Sequence, residues 1–106
     1  MTMEKDIEKK LVTLVASYGG NCLKWVCPGW SGVPDRIVLL PGATILFVET
    51  KRPSGVFSSM QKWWERRLTG LGFDYWRVCS FDDLDDLKRY LTEIMGVQED
   101  QKHEDH

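Results

Sequence analysis

At 106 residues the chain is sized for one domain with one core, and an apolar share of 42% beside 28% charged residues is that of a globular protein, which excludes wholesale disorder. The net charge of −2 excludes a uniformly basic chain, yet the charge is unevenly spread. From Lys9 to Arg77 ten basic residues face four acidic ones, while from Val78 onward three basic residues stand against nine acidic, so the body can still turn a positive face toward phosphates.

The first ten residues are mostly charged and carry no signal-peptide apolar run, and nowhere do roughly 20 apolar residues follow one another as a membrane span requires. An intracellular, cytoplasmic protein with no membrane partner is the expectation. Three cysteines, Cys22, Cys27 and Cys79, form no C-x-x-C pair, and both histidines, His103 and His106, fall in a polar tail. Buried reduced thiols are therefore expected, not a zinc site.

Ile7, Leu11, Leu14, Val15 and Tyr18 repeat at helical spacing and predict a first helix, stopped by Gly19-Gly20. Residues 22–27 (CLKWVC) read as a strand, followed by the turn-rich loop PGWSGVP. Two apolar runs, Arg36–Leu40 and Thr44–Thr50, flank Pro41-Gly42-Ala43 and predict a hairpin. Their near-continuous Val, Ile, Leu and Phe suggest a sheet covered on both faces. A second helix is expected from about Ser58, with Met60, Trp64, Leu68 and Leu71 as its buried stripe and Gly70 and Gly72 at its end. Residues 73–79 (FDYWRVC) suit another strand. A last helix follows Ser80, its first turns rich in Asp as the helix dipole favours, with Leu84, Leu87, Leu91 and Ile94 facing inward and Gly96 closing it. The order α-β-β-β-α-β-α is that of a mixed α/β domain. It is expected to occupy residues 1–96, with a disordered polar tail at 97–106.

Chemistry concentrates between Gly32 and Lys51. Alternate strand residues share a face, so Glu49 and Lys51 point together, and a hairpin returns Asp35 to the same sheet end. Two carboxylates beside an amine suit metal-assisted phosphodiester hydrolysis, since Mg²⁺ takes one or two carboxylates and keeps several waters. The spelling alone is weak evidence: E-x-K arises by chance roughly 0.4 times in a chain of this length.

The segments GVPDRIVLL, FVETKRPSG and SSMQKWW, together with Glu8 in IEKKL, the Gly19-Gly20 pair and Lys24, resemble the VRR-NUC (virus-type replication-repair nuclease) family of the PD-(D/E)xK restriction-endonuclease-like superfamily. The resemblance spans residues 4–80. It implies that Asp35 and Glu49, with the backbone carbonyl of Thr50, ligate Mg²⁺ (Mn²⁺ substituting), and that Lys51 serves the attacking water. It further implies that Glu8 holds a water or a second metal and that Gln61 braces the site. Thr50 departs from the usual apolar residue, and only its carbonyl is expected to matter. Lys24, Arg36 and Arg52 are the candidate DNA-backbone contacts.

Gln61 has a competing reading, because Ser58-Ser59-Met60-Gln61 spells a capping box. Of the five tryptophans, Trp64 fits the second helix's stripe and one of Trp25 and Trp76 is expected in the core. Trp63 is assigned to an interface; Trp30 is left unassigned. By resemblance the chain is expected to be a phage or bacterial homodimer that cleaves branched DNA such as a Holliday junction. A nuclease for linear, flap or single-stranded DNA is the alternative, and so is a non-catalytic DNA-binding module on the same fold.

Overall fold

Residues 3–96 are described by the computed structural model of the chain. The expected tail at 97–106 lies outside the described residues. Chain order is α1 (Glu4–Ser17), β1 (Asn21–Lys24), β2 (Arg36–Leu40), β3 (Thr44–Thr50), α2 (Ser59–Gly70), β4 (Asp74–Val78) and α3 (Phe81–Ile94), the predicted sequence of elements. One sheet runs β1-β2-β3-β4. The first two pairings are antiparallel and β3–β4 is parallel, with α2 as the crossover.

The helical stripes of α1 and α3 pack on one face. Ile7, Leu11 and Val15 of α1 and Leu84, Leu87 and Leu91 of α3 meet Val38, Leu40, Leu46, Val48 and Val78 of the sheet in one core. Each such side chain withdrawn from water stabilises the fold by about 1.5–3 kcal/mol. The turn between β2 and β3 needs left-handed backbone at both Gly42 and Ala43 (φ 79° and 59°). Gly42 adopts this without penalty.

The other face departs from expectation. Only α2 lies there among the described residues, and of its predicted stripe only Leu68 is buried; Met60 and Leu71 are exposed. The cause is its placement over β4 and the β3 end, with Gln61 and Glu65 turned to the sheet in place of a continuous apolar stripe. The far part of that face, Leu23, Leu39 and Ile45, stays exposed, so the sheet is not covered on both sides. An aromatic chain covers the middle: Trp25 stands 5.4 Å from Phe47 and 6.2 Å from Trp64, which in turn meets Trp30 and Trp63. Neither Trp25 nor Trp76 is fully buried, although Trp76 packs against the core.

Two further boundaries moved. β1 stops at Lys24 instead of Cys27: the Trp25 N–H still reaches the Asp35 carbonyl, but among the described residues no backbone bond joins Val26 or Cys27 to Val33 or Pro34. Ile94, expected in the core, is exposed at the last turn of α3.

Candidate active site

The β2–β3 register pairs Arg36 with Val48, so one step further Asp35, just before β2, comes beside Glu49 at the same sheet end. Directly opposed residues of an antiparallel pair have Cα atoms about 4.5–5.5 Å apart. Both residues therefore stand at one sheet end, near enough for the Asp35 charge to act on Glu49. Pro34, fully buried, fixes the chain just before Asp35.

The Thr50 amide and hydroxyl both donate to Asp35 Oδ2, at 3.1 and 2.9 Å. That leaves Oδ1 for other partners. The hydroxyl also lies 3.3 Å from Glu8 Oε1 on α1. Having one proton, it serves one carboxylate at a time. The Thr50 side chain thus matters beyond its carbonyl, contrary to the sequence reading. Nothing in sequence alone marks it, because the link depends on α1 docking behind β3.

Glu49 is almost wholly buried at 1% exposure. Its Oε2 accepts from Gln61 Nε2 at 2.9 Å, while its buried Oε1 has no partner among the described residues. Burial first, and then the Asp35 charge, push the Glu49 carboxyl up to about 8, against the opposing pull of Lys51. A buried carboxylate oxygen without a partner, near a second carboxylate, is costly unless the group takes up a proton or a cation binds it.

Gln61 makes the contacts of both readings that sequence set against each other, the cap and a bond to Glu49. Its Oε1 accepts from the Ser58 N–H at 2.8 Å and its own N–H donates to Ser58 Oγ at 3.1 Å, closing the capping box. The amide nitrogen is left over for Glu49. Gly32 holds the Asp35 loop against this corner: with φ +79°, a Cβ there would come within 2.6 Å of Met60 Cβ and 2.9 Å of the Gln61 nitrogen.

Lys51 is half-buried beside the Phe57 ring, its ammonium 6.0 Å from the ring centre. Arg52 is exposed in the following loop. Lys24 is exposed on the edge strand, but its register with Arg36 sets it on the α1 side of the sheet, away from Asp35 and Glu49. Arg36 is engaged elsewhere: it stands 3.6 Å from Glu8 and donates to the Cys22 carbonyl, with 15% of its side chain exposed. Residues 35, 49, 50, 51 and 61 gather at one sheet end, Glu8 joins them through Thr50 and Arg36 only through Glu8, and Lys24 does not join them.

Two neighbours were not foreseen. Arg77 pairs with Glu49 across β3–β4, and Tyr75 lies two residues before it on the same face. The Tyr75 hydroxyl is buried without a partner among the described residues, and burial and the Glu49 charge raise its pKa. The parallel register of β4, set through α2, is not written in either strand. All three cysteines are free, and among the described residues no group of three His, Cys, Asp or Glu side chains forms a metal cage. A pair of carboxylates instead matches the sparse donor set of a hydrated hard cation.

A mixed sheet with Pro-Asp opening one strand and Glu-x-Lys closing its antiparallel neighbour defines a PD-(D/E)xK, restriction-endonuclease-like core. Within that class the chain belongs to the VRR_NUC family. A solved structure described as "VRR_NUC domain" superposes with a TM-score of 0.76 at 31% identity, covering 82% of this chain and 95% of the other. A protein of Acyrthosiphon pisum secondary endosymbiont phage 1, named "Putative nuclease p44", is 46% identical over 69 residues, covering 65% of this chain and 74% of the phage protein. No protein-family model matches the chain. No described helix is long and apolar enough to cross a membrane.

Proposed function

We propose that this chain is a Mg²⁺-dependent DNA endonuclease that acts as a homodimer on branched DNA, the four-way junction foremost. The observation that carries the nuclease reading is that Asp35 and Glu49 stand at one sheet end, with Lys51 two residues on and the buried Glu49 Oε1 without a partner among the described residues. The family membership and the name of the phage relative support it.

Asp35, Glu49 and the Thr50 carbonyl are the donors that would hold the ion, with Mn²⁺ an acceptable substitute. When bound, such a cation polarises a phosphate oxygen and lowers the pKa of a water. The chain's own work is positional. Thr50 fixes the Asp35 carboxylate through two hydrogen bonds, and Gln61 holds one Glu49 oxygen so that the other faces the site. Lys51 supplies a positive charge beside the carboxylates, where it orients the attacking water or steadies charge on the phosphate. Glu8, within reach of the same Thr50 hydroxyl from the opposite side of the sheet, competes with Asp35 for its one proton.

The dimer and junction parts rest on a different feature. Leu23, Leu39 and Ile45 leave an apolar sheet surface exposed, which a second copy would cover. Two cuts related by two-fold symmetry need two centres, and one small domain offers one. Purified protein with Mg²⁺ should cut a four-way junction faster than matched flap, linear duplex or single strand. Preference for any of those others replaces the junction assignment. Lys51→Ala should slow cleavage by roughly a hundredfold or more, on the scale of losing one transition-state charge contact, while DNA binding persists. Undiminished cleavage places the chemistry elsewhere.

A further inference from the structure

We infer that Arg77 is a phosphate-binding residue of the same site, gripping the DNA backbone on the side of Glu49 away from Asp35. The inference rests on the nuclease reading above and deepens it. Glu49 and Arg77 pair directly on the α2 face, and continuing the other two registers brings Trp25 and Asp35 into the same transverse row at that sheet end. Neighbouring strands are about 4.8 Å apart, so the Arg77 Cα stands about that far from that of Glu49. A guanidinium on this row stands beside the carboxylates that would hold the cation, where a DNA backbone bringing one phosphate to that cation would pass.

The side chain is already shaped for it. Arg77 donates from Nε to both oxygens of Glu65, at 3.1 Å each, and from Nη2 to Glu65 Oε1. Its guanidinium carbon lies 4.2 Å from the Phe57 ring centre, and the same ring adjoins Lys51. Glu65 follows Gln61 by four residues on α2, so one helix face holds Glu49 with its first polar side chain and Arg77 with its second. Glu65 and Phe57 grip the inner edge and the plane of the guanidinium. The Nη1 edge has no hydrogen bond among the described residues, and 40% of the side chain is exposed. A planar fork with one edge fixed and the other open is prepared for a phosphate. Of the two arginines that sequence offered for this work, Arg36 is turned to the α1 side and paired with Glu8, and Arg52 is exposed in the loop after β3.

Binding of a fluorescent four-way junction and a fluorescent duplex, measured against salt in Mg²⁺ in a Lys51→Ala background to suppress cleavage, tests this. Arg77→Gln should weaken binding severalfold and reduce the slope of log K against log salt by about 0.9, the loss of one phosphate contact. Arg77→Lys should keep the slope, retaining the charge. Glu65→Gln should also keep it, because it leaves Arg77 in place. If Arg77 only pairs with Glu65, Arg77→Gln and Glu65→Gln shift affinity alike and neither changes the slope, which overturns the inference. A background protein that binds no DNA overturns the nuclease reading and this one with it; binding with an unaltered slope in Arg77→Gln overturns this one alone.

Discussion

Glu49 sets the pH behaviour of the site. Its carboxyl is raised to about 8 by burial and by Asp35, so the folded state prefers it protonated, while an unfolded chain ionises it near 4.3. The stabilising contribution is therefore complete below about pH 4 and is lost as pH climbs through about 8. Denaturation of the metal-free protein should show this decline, at most about 1.4 kcal/mol per pH unit, and Glu49→Gln should remove it. A metal ion needs the ionised form, so Mg²⁺ affinity should rise steeply between pH 6 and 8 with up to one proton released per ion. Calorimetry in buffers of different ionisation enthalpy measures that release; affinity independent of pH would show that Glu49 is no ligand.

At the scale of elements, α2 is coupled to the chemistry through Gln61. Gln61→Ala removes the capping-box partner and the Glu49 contact together. It should cost about 1 kcal/mol of stability, the usual size of a lost cap, and weaken Mg²⁺ binding as well. Ser58→Ala, which disturbs the cap alone, should lower the melting temperature and leave metal affinity close to wild type. Equal loss of metal affinity in both variants would mean that the Glu49 contact has no function of its own. This doubling of roles was half legible in sequence, since the capping spelling is local and the Glu49 contact is not. The β2–β3 hairpin was legible for the same reason: its strands, turn and alternation lie within fifteen residues, and they bring Asp35 to Glu49 without further information. β4 reaches β3 only through α2, so the place of Arg77 beside Glu49 could not be read. The stripe on α2 misled because periodicity reports which residues share a side and says nothing of whether another layer lies opposite. Thr50 was undervalued because its hydroxyl acts on a partner from α1, more than forty residues earlier.

For the whole molecule, the uncovered part of the sheet is the feature that calls for a partner. Leu39 and Ile45 pair across β2–β3 with both side chains exposed. Leu39→Lys should convert a dimer to a monomer in sedimentation equilibrium while leaving the fold intact, because the position is already wet in one protomer. A wild-type protein that is monomeric at micromolar concentration, or a variant that still pairs, removes this face from consideration. The site itself is stitched through the sheet: Glu8 arrives from the layer behind and Gln61 from the layer in front, with the strand ends between them. Such a clasp works as an interlock. A half-made chain released before α2, or one with either layer peeled away, lacks a complete set of jaws, so on the proposed reading the ability to cut nucleic acid comes only with the finished fold.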